Sequence, residues 1–275
     1  MIPSDEHIVY GPVGQCIYCR SVFRGKELSR EHIIPEGLGG RRILPKASCR
    51  KCATITSKFE RLCLQEMLNG PRRMLRISGK KRKHKRTRPV YVGYYEDNQL
   101  VGREINPESH PGLFGLPVFS NPGILFGRPS GQPFLITGVK PVLFASDYEL
   151  RSELLGSPSL LTIVPFYEFC QLLAKIAHAH AVAEFGLDKF DSFVTNMILG
   201  IDKNFADYVG SLGDIENRKI NSLHTVATGY DRKPIIYVNI NLFAPMNSHF
   251  YQVAVGQLNK NVQFFSTFVD PKKYD

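Results

Sequence analysis

The sequence of 275 residues contains no tryptophan and no run of about 18 uncharged apolar residues, the length that a membrane helix requires. Residues 1–7 are acidic and lack the apolar run of a secretory signal. We therefore expect no membrane partner and a cytoplasmic location, where the six cysteines are better suited to metal binding or catalysis than to disulfides. Apolar residues make up 43% of the chain, which is enough for a core and excludes wholesale disorder.

Acidic residues are missing from residues 71–88, a stretch that contains ten of the 35 lysines and arginines. The other 25 basic residues balance the 25 acidic ones, so the net charge of +10 lies in this one block. A neutral chain with one concentrated basic block is typical of proteins that bind a polyanion. Residues 80–88 have no apolar side chain to bury, so we expect a solvated linker that contacts nucleic acid, the alternative being an exposed linker without a partner. The expected contacts are Lys80, Lys81, Arg82, Lys83, Lys85 and Arg86.

Composition and periodicity divide the chain into three parts. Residues 1–70 form a compact segment rich in cysteine and glycine, residues 71–89 form the basic linker, and residues 90–275 form a domain that recognises a target or partner. Apolar residues at helical spacing predict a helix over 53–68. Asn69-Gly70-Pro71 is expected to end that helix.

The third part is predicted to be an α+β domain. Residues 90–95 and 100–105 have the pattern of a hairpin, whereas residues 107–132, dense in proline and glycine, are expected to form an irregular loop. Alternating apolar residues over 236–242 and 249–255 predict an antiparallel meander with one covered face.

Two further helices are predicted in this domain. One runs from about Pro165 to about Glu184, and the other lies within residues 188–199. In the first, the apolar residues form one face. Its polar residues are expected to lie largely on the opposite face; they are Glu168, Gln171, Lys175 and His178.

Four of the six cysteines form two pairs with the spacing of metal knuckles, Cys16 with Cys19 and Cys49 with Cys52. Two such knuckles in a reducing compartment predict a tetrahedral zinc ion held by four thiolates, which would stabilise a segment too small for a core of its own. The alternative is a set of core cysteines without a metal. The spacer of 29 residues between the pairs is long enough to contain a further motif.

The spacer contains Glu31-His32-Ile33-Ile34-Pro35, followed by Leu38-Gly39-Gly40. The order CxxC, EHIIP, LGG, CxxC, helix resembles the HNH endonuclease family, over roughly residues 14–62. The resemblance implies a zinc-stapled ββα-metal module of treble-clef type, ahead of an antiparallel α+β domain. The stretch LAKIAHAHAVAEFGL is similar to the C-terminal region of bacterial proteins assigned to this family, which implies no chemistry.

The resemblance implies that His32 activates the attacking water as a general base and that Glu31 helps to hold a catalytic Mg²⁺ or Mn²⁺. Both residue types suit these roles, because neutral imidazole accepts a proton at physiological pH and a carboxylate is a hard oxygen ligand. The metal would stabilise charge on the scissile phosphate. We expect residues 33–35 to anchor the strand and to leave Glu31 and His32 at its exposed end. The alternative for His32 is a structural histidine bonded to a backbone carbonyl.

The chain departs from the HNH pattern at two positions. Residues 41–48 lack the asparagine that often orients the histidine ring, and Ala53 stands where many members carry a metal ligand. Glu60 lies on the same side of the predicted helix as Ala53, and is either a substitute ligand or a plain surface glutamate. Arg41 and Arg42 either bind substrate phosphate or are solvated cations.

Two functions from different classes remain. The first is metal-dependent endonuclease activity on nucleic acid, with DNA as the expected substrate, a structural zinc and a catalytic Mg²⁺ or Mn²⁺. The second is a catalytically degenerate module that binds nucleic acid without cutting it, which the missing asparagine and Ala53 favour. We favour the nuclease, because a pure binding module has no evident need for both Glu31 and His32.

Overall fold

The computed structural model describes residues 5–22, 27–77, 90–96, 99–105, 113–144, 164–213, 222–230 and 234–259, with the backbone alone for 90–96 and 99–105. The nucleic-acid contacts predicted at residues 80–86 lie outside these segments, so they stay a prediction. No helix in the described segments is long and apolar enough to cross a bilayer.

The first part of the chain forms a three-stranded sheet followed directly by a helix. Strands β1 (Ile8–Val9) and β2 (Leu28–His32) flank the central strand β3 (Arg42–Cys49), β1 parallel and β2 antiparallel to it. Helix α1 (Arg50–Leu62) begins at the residue after β3. This strand–strand–helix order agrees with the predicted ββα module.

The predicted end of this helix at Asn69-Gly70-Pro71 is wrong. Helix α1 ends at Leu62, one turn of π-helix covers Cys63–Met67, and a second helix, α2, runs through the expected breaker over Asn69–Met74. Proline is tolerated there because it lies in the first turn of α2, where its missing amide hydrogen has no partner to lose. The Arg72 guanidinium holds α2 in place by donating to the carbonyls of Gly37 and Leu64.

In the remaining part, the described residues form three antiparallel sheets. The hairpin is confirmed as β4 (Val90–Glu96) with β5 (Gln99–Ile105). The meander is confirmed as β10 (His224–Tyr230), β11 (Ile235–Leu242) and β12 (Phe250–Leu258). Strand β12 also pairs with β8 (Phe190–Ser192) and with β9 (Val209–Gly213), which completes a five-stranded sheet.

The irregular loop expected over residues 107–132 is partly wrong. Residues Leu113–Phe119 form β6, which pairs with β7 (Ile136–Leu143). A sheet of only two strands tolerates Pro117 because each strand has a free edge. Leu116 and Phe119 are buried, so their packing outweighs the weak strand propensity of the neighbouring glycine and proline.

The long predicted helix is confirmed as α3 (Phe166–Phe185), with Pro165 at its N-cap. Its expected polar face is wrong, because all residues from Leu172 to Val182 are buried, Lys175 and His178 among them. Helix α3 contacts α1 and the strands β11 and β12, and its central stretch, residues 172–182, is covered all round, whereas Tyr167 and Glu184 near its ends are exposed. The helix predicted within 188–199 is only the single turn α4 (Thr195–Ile198), after β8; one more turn, α5 (Phe205–Tyr208), precedes β9.

The chain thus has the predicted α+β fold, with a cysteine cluster in its first part and antiparallel sheets in the rest. One continuous cluster of buried apolar side chains extends from Cys16 to Leu258. His178 joins the two parts, because its Nε2 donates to the carbonyl of Ile17, within the first knuckle, at 2.7 Å. The predicted division at residues 70 and 90 stays a prediction.

Candidate functional site

Four thiols meet at the start of α1. The Sγ atoms of Cys16, Cys19, Cys49 and Cys52 all lie within 4.8 Å of one another, and those of Cys19 and Cys49 are 3.8 Å apart. Tetrahedral zinc with Zn–S bonds of about 2.3 Å places sulfur atoms about 3.8 Å apart, so the cluster fits this ion. The cluster is consistent with the predicted zinc site.

Local contacts suit a cation at Cys19 and Cys49, whereas burial raises the thiol pKa of Cys16 and Cys52. Cys49 is the N-cap of α1 and its Sγ accepts a hydrogen bond from the Cys52 amide, with 3.5 Å between S and N. Although burial opposes it, contact with Ser21 lowers the pKa of the Cys19 thiol to about 6. When bound, the ion would tie the first knuckle to the strand–helix junction.

Replacement of Cys49 by serine is expected to lower the zinc content of the purified protein from about one ion per chain to nearly none, because three thiolates hold zinc far less tightly than four. Zinc is measured by metal analysis against protein concentration. Cys63→Ser is the matched control, since Cys63 is equally buried but lies outside the cluster. Stoichiometric zinc in Cys49→Ser would contradict the assignment.

The sequence led us to expect Glu31 at the exposed end of a strand, and this expectation is wrong. The residue is 7% exposed. Strand β3 bulges between the pairs Ser29–Ser48 and Glu31–Leu44, and Glu31 lies just after this shift on the buried side of β2. There its Oε1 lies 2.7 Å from Nζ of Lys175 on α3.

Glu60 approaches the same ammonium group from α1. Its Oε1 lies 3.0 Å from Lys175 Nζ, and its side chain is 21% exposed. Lys175 also donates a hydrogen bond to the backbone carbonyl of His32. Burial by itself would lower the pKa of Lys175, but the two carboxylates outweigh burial and raise it, so the ammonium form persists at neutral pH. Burial raises the pKa of Glu31, although Lys175 opposes this.

A catalytic Mg²⁺ or Mn²⁺ does not fit the ligands that the sequence suggested. The carboxylates of Glu31 and Glu60 are both paired with Lys175, and Ala53 has no ligand atom. Zinc remains the one metal whose ligand set the described residues provide.

His32 is held as a proton acceptor. Its Nδ1 lies 3.3 Å from the carbonyl oxygen of Gly40, and because a carbonyl only accepts, Nδ1 carries the hydrogen. In the neutral ring Nε2 is therefore unprotonated, and it is buried without a hydrogen-bond partner among the described residues. Burial lowers the pKa of His32, so the neutral form dominates at physiological pH.

The Leu38-Gly39-Gly40 turn orients the His32 ring, which is the role expected of the missing asparagine. Gly39 has φ +88°, a backbone conformation that favours glycine. A Cβ on Gly40 would lie 2.1 Å from the carbonyl oxygen of Ile34, so only glycine allows this close approach of the two chain segments. The Gly40 carbonyl then orients the imidazole of His32.

The comparison with protein families agrees with this geometry. Residues 16–62 match the HNH endonuclease family. The match begins at the first cysteine of the cluster, ends at the last residue of α1, and supports a nuclease-type function with a nucleic-acid substrate. No curated protein and no solved structure shows a significant match to the chain.

Residues 16–62, called the HNH segment below, include a basic helix face that the sequence analysis missed. Arg50, Lys58 and Arg61 are exposed on α1 at offsets of eight and eleven residues, which places them on one side of the helix. Exposed Lys51 lies beside them, and the one acidic residue of α1, Glu60, is paired with Lys175. The sequence could have indicated this face, because its basic residues recur at helical spacing and no exposed acidic residue lies among them.

A shallow cleft of about 320 Å³ borders this basic face, and its lining residues are Glu27, Ser29, Arg50, Ala53, Thr54 and Ser57. Of the two arginines predicted to contact phosphate, Arg41 is exposed and Arg42 is half-buried on β3. Nothing in the described segments pairs Arg41 or Arg42 with an acid, so both stay candidate contacts.

Lys175 is the other residue that the sequence analysis missed as part of the site. It is the one charged residue between Glu168 and Glu184, in a run that is otherwise apolar except for Gln171, His178 and His180. A single charged residue in a buried helix requires a partner of opposite charge. This requirement could have indicated from the sequence that Lys175 pairs with an acidic residue.

Proposed function

We propose that the HNH segment gives this protein endonuclease activity on DNA, with His32 as the general base for phosphodiester hydrolysis. The observation that carries the proposal is the unpartnered Nε2 of His32, opposite an Nδ1 that is fixed by Gly40. A base must offer an unprotonated atom to the attacking water, and Nε2 is unprotonated and has no other partner among the described residues. No catalytic role is assigned to Glu31 or Glu60, because both carboxylates are paired with Lys175.

Helix α1 is the proposed substrate surface. From Arg50 to Arg61 the helix extends about 16 Å, long enough for its cations to contact several successive phosphates of one strand. Such contacts bind and orient the backbone without reading its sequence. The tract from Lys80 to Arg86 and the exposed Arg41 are proposed to add further phosphate contacts.

The second candidate is a module that binds nucleic acid without cutting it. The pairing of Glu31 and Glu60 with Lys175 favours this reading, as does the absence of a ligand atom on Ala53. The basic face of α1 serves binding in either case, so cleavage and binding have to be measured separately.

Replacement of His32 by alanine is expected to lower the rate of nicking of a supercoiled plasmid about 100-fold or more, the contribution of a general base, while DNA binding in a gel-shift assay remains. The assay is run with and without Mg²⁺. His7→Ala, which changes an exposed histidine, is the control and keeps the wild-type rate. Cleavage by His32→Ala at the wild-type rate would disprove the assignment of the base. DNA binding by the wild type without any cleavage would favour the second candidate.

As the pH is lowered, the cleavage rate is expected to fall to half its plateau value only below pH 6.5, the ordinary pKa of histidine. A base works only when it is unprotonated, and because burial lowers the pKa of His32, the rate persists to lower pH than an exposed histidine would allow. The measurement is the initial nicking rate between pH 5 and 8 at constant ionic strength. A half-maximal rate above pH 6.5 would contradict the environment assigned to His32.

The double substitution Lys58→Gln, Arg61→Gln is expected to weaken DNA binding and to reduce the slope of log affinity against log salt by about 2, one for each lost phosphate contact. Both side chains are exposed, so the fold should persist. Lys189→Gln, at an exposed position far along the chain in the turn after α3, is the control and leaves the slope unchanged. An unchanged slope in the double variant would exclude this face of α1.

A further inference from the structure

The environment of Lys175 Nζ resembles that of a bound cation. Four oxygen atoms surround this fully buried ammonium group: Oε1 of Glu31 at 2.7 Å, Oε1 of Glu60 at 3.0 Å, the backbone carbonyl of His32, and the backbone carbonyl of Ile33 at 3.4 Å. Carboxylate and carbonyl oxygens are also the ligands that Mg²⁺ and Mn²⁺ prefer.

We propose that the ammonium group of Lys175 permanently occupies the cation position of this HNH module. The wild-type chain accordingly binds no divalent cation between Glu31 and Glu60. Removal of the lysine side chain converts the same position into a Mg²⁺ or Mn²⁺ site. This inference concerns occupancy by a cation and does not depend on whether the protein cuts DNA.

Charge balance explains why one cation excludes the other. Glu31 and Glu60 both lie close to the same point, and without a positive charge between them the two carboxylates would repel each other in a poorly solvated site. Lys175 supplies one positive charge. A divalent ion in addition to the ammonium would have to contact it almost directly, so the two cations compete for one position.

The lysine position also leaves room for an ion once the side chain is shortened. Lys175 fills its site with four methylene groups and the ammonium, and Lys175→Ala would vacate a volume that admits an ion with some of its waters. The side chain of Glu60 is 21% exposed, which provides a path from solvent. The His32 carbonyl belongs to the backbone of β2, so it remains in place as the third ligand.

The test measures Mn²⁺ binding to the zinc-loaded full chain by electron paramagnetic resonance, together with thermal unfolding with and without Mn²⁺. Three proteins are compared: the wild type, Lys175→Ala, and Lys175→Ala combined with Glu60→Gln. We expect Lys175→Ala to bind one Mn²⁺ per chain and to unfold at a temperature that rises with Mn²⁺ concentration. The added Glu60→Gln substitution should weaken this binding at least tenfold, because it removes a charged ligand.

Two results would overturn the inference. One is a folded Lys175→Ala protein that binds no Mn²⁺. The other is a wild-type protein that binds one Mn²⁺, with binding abolished by Glu31→Gln or by Glu60→Gln. The wild-type measurement requires no lysine variant, so it decides the question even if Lys175→Ala fails to fold. A wild type that cuts no DNA, with Mn²⁺ binding as expected here, would refute the proposed function and support this inference.

Discussion

A buried ammonium group, together with the bond from His178 to Ile17, connects the HNH segment to the helix at the centre of the molecule. Lys175 on α3 contacts β2 through Glu31 and the His32 carbonyl, and contacts α1 through Glu60. Loss of one partner from such a buried cluster costs about 3–5 kcal/mol, because an uncompensated charge remains. The position of β2 relative to α1, and with it the position of His32, therefore depends on a residue more than a hundred positions away in the sequence.

Three features of the site depend on different groups. The four thiols provide a site of the kind that holds structural zinc, the Gly40 carbonyl orients the His32 ring, and Lys175 neutralises the carboxylates that the sequence suggested as ligands of a catalytic metal. The basic face of α1 lies on the exposed side of the same helix that provides Cys52 and Glu60. The thiol cluster, the oriented imidazole, the ion-paired carboxylates and the basic helix face thus involve different residues.

Those features that depend on local spacing could be predicted from the sequence. The cysteine pairs and the alternation in β11 were predicted correctly, because ligand geometry and the strand repeat act over a few residues. Glu31 could not be placed, because its buried position involves a contact with Lys175, more than a hundred residues further along the chain. Lys175 was assigned to a polar face because helical periodicity does not reveal that α3 is covered on both sides. Strand β6 was missed because burial, rather than propensity, stabilises it.

The most direct test of this account is a crystal structure of the wild-type protein soaked in Mn²⁺, with anomalous scattering used to locate zinc and manganese separately. We expect zinc at Cys16, Cys19, Cys49 and Cys52, and Lys175 Nζ at about 3 Å from both carboxylates, without manganese between them. A manganese peak between Glu31 and Glu60, with Lys175 displaced from them, would contradict it.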